Sequence, residues 1–431
     1  MNTTKRHNPA PDGDWDGFCK LEALMLAHGC TVVQSSALRL SLQKTPKILG
    51  ISGYISKQAL KKGLFLIYNL FVLKRYIKDD DTKLLYLVYT KDEHQIDNSK
   101  IDKRVIYIIK TLTKAGYEAY IVGGAVRDLI LGIRPKDFDI ATSATPKEVK
   151  KLFKNSRIIG KRFQIVHIFF DDVIYEISTF RSSDAVDGKN NNVFGTLQED
   201  ADRRDFTINS LYYDPVKSYL YDFHGGFNDL KKKRLRAVIP MSVSFKNDPV
   251  RMIRAIKFAT KCSLTIDSDI KAAFFKYASE LTTVSDGRIV EEFNKIMLSG
   301  FSFGILERLE KYDLLIYITP RISEEITRHN KTLSHALSIL DRKVRKKPDV
   351  TLQEAYAALM AFIIDKAEVE EKELSERVQY GFSLLYKGLR PLNVGKNLLF
   401  ESTKLIYKAK NIDYLLAKEE KLQKRRKTPT V

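Results

Sequence analysis

Cysteine is almost missing from this chain of 431 residues: three in all, Cys19, Cys30 and Cys262, with no C-x-x-C pair among them. Neither a disulfide framework nor a cysteine-based zinc site can be built from such a set. The expected setting is therefore reducing and cytoplasmic. Long apolar runs are missing too. The longest stretch, "GLFLIYNLFVL" from Gly63 to Leu73, has 11 residues, whereas a span of the hydrocarbon core takes about 20. It lies too far from Met1 for a signal peptide. It reads as a helix packed on another element, with attachment to a membrane surface the less favoured alternative and no stable membrane insertion. No internal repeat is visible, which removes solenoids and propellers. Acidic residues are in deficit, 53 against 73 Lys and Arg, for a formal charge of +20. So basic a balance points to a polyanionic partner, nucleic acid ahead of a membrane surface.

What remains is a chain long enough for two or more domains, with the 44% hydrophobic content of a globular protein. Residues 1–91 carry no legible chemistry and are set apart as an N-terminal extension of unknown role. From Ile101 the pattern turns regular. "IDKRVIYIIKTLTKAG" places Ile101, Val105, Ile108, Ile109 and Leu112 on one helical face, with Gly116 where a C-terminal cap belongs. "EAYIV" then reads as a strand, "GG" as a tight turn and "AVRDLILG" as a short helix closed by Gly132. In "TPKEVKKLF", Thr145, Pro146 and Glu148 make a capping box with proline in the first turn. "RIIGKRFQIVHIFF" and "VIYEISTFR", separated by Asp171 and Asp172, predict an antiparallel hairpin. After "LRAVIP" the strands stop, and from Asn247 the patterns are helical. The last residues, "KEEKLQKRRKTPTV", hold too little apolar content to fold.

The chemistry concentrates in "YIVGGAVRDLILGIRPKDFDIAT". Gly123 and Gly124 follow a strand and open a helix, so backbone N–H groups can face an anion. Arg127 is within reach of the same anion. Asp137 and Asp139, two apart on an extended segment, point the same way. Two like charges so placed repel one another. A divalent metal between them turns the repulsion into attraction. A glycine pair alone, or a D-x-D triplet alone, is a common structural feature; their closeness here is what favours phosphate and metal.

Four segments, "VGGAVRDLILG", "PKDFDIAT", "EDADRRDFTINSLYYD" and "NDPVRMIRAIKFA", resemble the class II nucleotidyltransferase superfamily of bacterial poly(A) polymerases and CCA-adding tRNA nucleotidyltransferases. The resemblance runs from about Asp92 to Gly300. It implies an α+β fold: a head like the catalytic domain of DNA polymerase β, then an all-helical neck, body and tail. It implies template-independent addition of nucleotides to RNA 3′ ends, with ATP as substrate and Mg²⁺ (or Mn²⁺) as cofactor. By the same resemblance Asp137 and Asp139 take the metal-binding role, and Glu176 is the position-matched third carboxylate, unless it is a solvated strand residue. Asp205 is a further active-site acid, with Arg203 and Arg204 toward triphosphate or ribose. Asn209 bonds a ribose hydroxyl or caps its turn. Gly123, Gly124 and Arg127 hold phosphate.

In such enzymes an Asp and an Arg on one helix read the incoming base. Here they correspond to Asp248 and Arg251, with Arg254 and Lys257 further along, although Asp248 before Pro249 also fits an ordinary helix N-cap. The usual Glu before that Asp is replaced by Asn247, which puts the outer support of the base pocket in doubt.

The implied division is 92–238 catalytic head, 239–300 neck, 301–415 RNA-binding body and 416–431 basic tail. "RIIGKRFQIVHI" (Arg157 to Ile168) resembles the poly(A) polymerase form, so RNA polyadenylation is preferred over CCA addition to tRNA. An inactive RNA-binding module is a remote third reading, disfavoured because Asp137, Asp139, Asp205 and Arg127 are all retained. Protein partners are not legible.

Overall fold

Strand pairing accounts for most of the architecture between Leu73 and Asp222. The computed structural model describes residues 73–79, 82–160, 164–182, 194–347 and 349–415. Nine strands form one mixed sheet: β1 (Leu73–Asp79), β2 (Thr82–Tyr89), β3 (Ala119–Val122), β4 (Asp139–Thr142), β5 (Ser156–Ile159), β6 (Ile165–Phe170), β7 (Val173–Thr179), β8 (Leu211–Asp214) and β9 (Tyr219–Asp222). Their spatial order is β1-β2-β9-β8-β3-β4-β7-β6-β5. Only β4 and β7 run parallel; the other neighbours are antiparallel.

Alternation along the strands sorts the side chains onto two faces. On one face Ile121, Ile140, Val166, Ile168 and Ile177 join the main core, beneath the helices Lys103–Lys114 and Pro146–Leu152. The first of these buries Val105, Ile108, Ile109 and Leu112, as its spacing predicts, and Gly116 follows it at φ +90°. The second starts on the expected Thr145–Glu148 capping box. On the opposite face Tyr120, Val122, Ala141, Phe180, Tyr212 and Tyr221 form a second, smaller core under the helix Leu197–Asp202.

The structure departs from the sequence reading in several places. The run from Arg157 to Phe170 is not one strand. Gly160, at φ +87°, ends β5, which then pairs antiparallel with β6; Lys161 to Phe163 lie outside the described residues. The β6–β7 hairpin forms as expected, turning at Asp171 with φ +51°. β1 and β2, assigned above to the extension, extend the head sheet through pairing of β2 with β9. The apolar run from Gly63 falls outside the described residues up to its last member, Leu73, which begins β1.

Among the described residues beyond Pro240 the regular elements are helices, apart from Thr265–Ile266, which pairs in parallel with Arg234–Leu235. Successive helices include Met241–Asn247, Val250–Lys261, Asp286–Met297 and Ser302–Lys311. Val250–Lys261 is the best buried of these, with Met252, Ala255, Ile256 and Ala259 fully enclosed. Among the described residues no helix is long and apolar enough to cross a membrane. The basic tail, 416–431, lies outside them.

Candidate active site

β4 begins at Asp139, and the two residues before it already alternate: Asp137 is exposed, Phe138 buried, Asp139 exposed and Ile140 buried. Both carboxylates therefore leave the chain on the same side, as the sequence predicts. Registry across the sheet adds two more polar groups. Asp139 is the direct partner of Glu176 on β7, and Glu176 is the partner of His167 on β6. The row Asp139, Glu176, His167 thus crosses three adjacent strands, beyond the edge of the small aromatic core on that face. Nε2 of His167 approaches Oε1 of Glu176 at 3.5 Å.

Asp139 keeps access to solvent, although protein groups crowd its carboxyl. Burial raises the pKa of its carboxyl, Glu176 and Asp137 add to the rise, and Arg204 and Lys295 oppose it. Carboxylates crowded in this way suit a hard divalent cation, and an all-oxygen donor set fits Mg²⁺ or Mn²⁺. Among the described residues no three His, Cys, Asp or Glu side chains are gathered closely enough to enclose an ion. Mg²⁺ is commonly held by one or two protein carboxylates, with the remaining positions left to phosphate and water.

The glycine turn lies one strand away. Gly123 adopts φ +65°, and a Cβ there would meet Nη1 of Arg204 at 3.5 Å; a Cβ on Gly124 would meet Nη2 of Arg127 at the same distance. Two guanidinium groups therefore close on one bare turn. Arg204 is aimed by three partners: its Nε donates to Tyr212 Oη (2.8 Å), Nη1 to the Asn209 carbonyl (3.3 Å) and Nη2 to Asp200 Oδ2 (2.9 Å). Asp200 is 1% exposed. Burial works against its charge, but Arg204 and Arg203 outweigh it and hold the carboxyl down at about 2.

Other predicted residues are placed differently. Arg127 is buried: its Nε and Nη2 donate to Asp128 Oδ1 and its Nη1 to Asn209 Oδ1. All three of its nitrogens thus donate within the protein, as those of Arg204 do. Asn209 passes the chain of contacts on, donating to Asp205 Oδ1 at 3.0 Å. Asp205 also accepts from the Phe206 N–H and, at 2.7 Å, from Arg254 Nε. Arg254 in turn reaches Glu292 at 3.3 Å, and Lys257 donates to the same carboxylate. Arg127, Asn209 and Asp205, all buried, thus form with the half-buried Arg254 a ladder joining the head to the helix Val250–Lys261. Arg127, Arg254 and Lys257 all lie about the Phe258 ring, 4.9 to 5.0 Å from its centroid. Burial lowers the Lys257 ammonium to about 8 despite Glu292.

Asp248 is not the side-chain N-cap that its position before Pro249 allows. It closes the preceding helix, and Pro249 occupies the cap position. Its carboxylate instead receives Nη2 of Arg288, 2.9 Å from each oxygen. Arg251 stands 3.8 Å away and donates to Ser244 Oγ and the Arg203 carbonyl.

Sequence reasoning missed Asp200, Glu292 and Arg288. A signal existed for two of them. Asp200 follows Leu197 by three and precedes Ala201, and Glu292 stands between Ile289 and Phe293 in the same way; all of these neighbours are buried. An acid on an apolar helix face signals a buried ion pair. Arg288, on an exposed face, carries no such mark.

Family models match at residues 119–236, as "Poly A polymerase head domain", and at 263–326, as "Probable RNA and SrmB- binding site of polymerase A". Poly(A) polymerase I of Salmonella typhi is 35% identical over 291 residues, 63% of each chain, so the match spans less than two thirds of that relative. Poly(A) polymerase I of Escherichia coli O157:H7 is 33% identical over 336 residues, 72% of each chain. A CCA-adding enzyme of Geobacillus sp. is 34% identical over 220 residues, 50% of this chain and 54% of its own. Among solved structures, the Bacillus stearothermophilus CCA-adding enzyme in complex with CTP is 24% identical, with a TM-score of 0.47 over 72% of this chain and 82% of that one.

Proposed function

The chain belongs to the nucleotidyltransferase family of bacterial poly(A) polymerases and CCA-adding enzymes, and from that premise we propose that it adds AMP from ATP to RNA 3′ ends without a template. One observation carries the choice of polyadenylation. Matches to poly(A) polymerase I cover 63% to 72% of the chain, whereas those to CCA-adding enzymes cover 50% to 52% at similar identity. The pattern from Ile158 to Ile168 supports the same preference.

In this reading the 3′-oxygen of RNA attacks the α-phosphorus of ATP. The new P–O bond forms as the bond to the pyrophosphate breaks, and the hydroxyl proton passes to solvent. Asp137 and Asp139 would hold a divalent cation, Mg²⁺ or Mn²⁺, and Glu176 extends their acidic row. Held there, such a cation would supply Lewis acidity toward the 3′-hydroxyl and the leaving group. Arg204, fixed by Asp200 and Tyr212, faces the triphosphate beside Gly123 and Gly124, where missing side chains let phosphate approach the backbone. Arg127, Asn209, Asp205 and Arg254 act one layer back, fixing the head against the helix that bears Arg251. Asp248 and Arg251 select the base through hydrogen bonds. The helical body and basic tail hold RNA phosphates.

The test is nucleotide use by the purified chain with Mg²⁺, on a generic RNA and on a tRNA lacking its 3′-CCA. Polyadenylation predicts a long, heterogeneous ladder on generic RNA with ATP alone and little use of CTP. Two C additions, one A and a stop, confined to the tRNA, would make the chain a CCA-adding enzyme instead.

A further inference from the structure

We propose that Phe169 and Ile174 form the seat of the RNA's 3′-terminal nucleotide, with its base lying on the Phe169 ring. The proposal rests on the reading of Asp137 and Asp139 as the place where the RNA 3′-oxygen reacts.

The two residues are direct cross-strand partners, Phe169 on β6 and Ile174 on β7. They stand one step of the alternation from the His167–Glu176 pair, and so on the face that carries Asp139, Glu176 and His167. Farther along that face Ala141 and Phe180 are covered, whereas Phe169 is 37% and Ile174 51% exposed. Single apolar residues at a surface are ordinary; an adjacent pair bordered by charged groups marks a place where something docks. The His167 ring meets that of Phe169 edge-on, with centroids 6.3 Å apart, and bounds the pair on one side. Arg157, exposed on the edge strand β5 and paired with His167, ends the row with a positive charge suited to phosphate.

The order of the strands decides which part of the substrates belongs here. β4 lies between β3 and β7, with β6 beyond β7. The glycine turn and Arg204, assigned to the triphosphate, stand on the β3 side. Phosphoryl transfer sets the attacking and leaving oxygens roughly in line across the phosphorus. With pyrophosphate leaving toward β3, the RNA 3′-oxygen arrives from above β7, and its nucleotide lies over β7 and β6. Asp137 precedes Asp139 by two residues, as Ile174 precedes Glu176, so the parallel register continues to Asp137, Ile174 and Phe169. Neighbouring strands are about 4.8 Å apart, which puts Phe169 about 10 Å from Asp137. One nucleotide covers that distance from its sugar hydroxyl to its base. Stacking on an aromatic ring accepts any base. A seat for the growing end needs that tolerance, because the transcript's own last nucleotide is followed there by added adenosines.

The experiment uses full-length wild type, Phe169→Ala, Phe169→Trp, Ile174→Ser and Asp139→Asn with two RNA primers, one ordinary and one whose 3′-terminal ribose lacks its base. It reads primer Kd by fluorescence anisotropy across a salt series, and kcat and KM for primer and for ATP, with circular dichroism to follow folding. Removing the terminal base should weaken wild-type binding roughly tenfold, and Phe169→Ala should weaken binding of the ordinary primer by about the same factor. In Phe169→Ala the two primers then bind alike, since the partner of the base is gone. Ile174→Ser shifts the same way, and Phe169→Trp keeps the wild-type difference. The salt slope stays unchanged because no cation is lost, and KM for ATP holds. If Phe169→Ala still prefers the ordinary primer as strongly as wild type does, the base rests elsewhere and the proposal falls alone. Unchanged primer affinity in every Phe169 and Ile174 variant leaves the pair to a protein contact, and a matching rise in KM for ATP makes its role structural; either result overturns the proposal. If Asp139→Asn transfers AMP at the wild-type rate, the reaction is not at β4, and that reading and the proposal fall together.

Discussion

Replacing Asp200 by Asn tests whether Arg204 is aimed by a buried charge. The wild-type carboxylate accepts from Nε and Nη2 of Arg203, the Arg181 N–H, Nη2 of Arg204 and Tyr212 Oη. Asparagine keeps the shape but loses the charge, and turns an N–H group toward guanidinium donors. The charge alone has a measurable weight. Moving a carboxyl from 3.8 in the unfolded chain to about 2 in the folded one corresponds to about 2 kcal/mol of stability. The folded pKa is depressed, so this contribution is fully present above about pH 5 and is lost as pH falls through the folded value. About half of it is gone by pH 3. Urea unfolding followed by circular dichroism at pH 7, 5, 4 and 3 reads the effect directly. Asp200→Asn should be less stable by at least about 2 kcal/mol at pH 7, with the gap to wild type closing below pH 4. KM for ATP should rise in parallel as Arg204 loses its anchor. A gap that is absent at pH 7, or that does not narrow between pH 4 and 3, would refute the buried-charge account.

Two further substitutions probe the scaffold. A Cβ on Gly226 would lie 2.0 Å from the Thr207 carbonyl oxygen and 2.6 Å from its carbon, contacts that only a backbone shift can relieve. Gly226→Ala should therefore cost about 1–3 kcal/mol or more in urea unfolding and displace the turn bearing Asn209; unchanged stability would contradict the close approach. Glu292 is 5% exposed and meets Lys257, Arg254 and Lys295. Glu292→Ala strands the buried Lys257 ammonium and should cost about 3 kcal/mol by the same assay, whereas a loss under about 1 kcal/mol would mean that water already pairs it.

Local rules made the β4 site legible. Alternation put Asp137 and Asp139 on one side, the glycine pair marked the turn, and a capping box located the helix Pro146–Leu152. These features depend on residues within a few positions of one another. The partners of Arg127 did not follow from the sequence, because Asn209 is 82 residues away and no spacing rule spans that distance. For the same reason nothing in the sequence showed that the motif arginine donates to Asp128 and Asn209. β5 was hidden by a continuous apolar pattern that the backbone of Gly160 interrupts. The pairing of β2 with β9 joins segments more than 130 residues apart, and apolar composition alone does not name a strand's partner.

Single-turnover AMP transfer from ATP to an RNA primer by wild type and Asp139→Asn tests the central claim most directly. The carboxylates at the start of β4 are taken to bind the metal and place the reacting oxygen. Replacing one with its neutral amide should cut the rate by at least roughly 10³-fold, with the circular dichroism spectrum and urea midpoint kept close to wild type. Transfer within a few-fold of wild type would contradict the claim and move the catalytic centre away from Asp139.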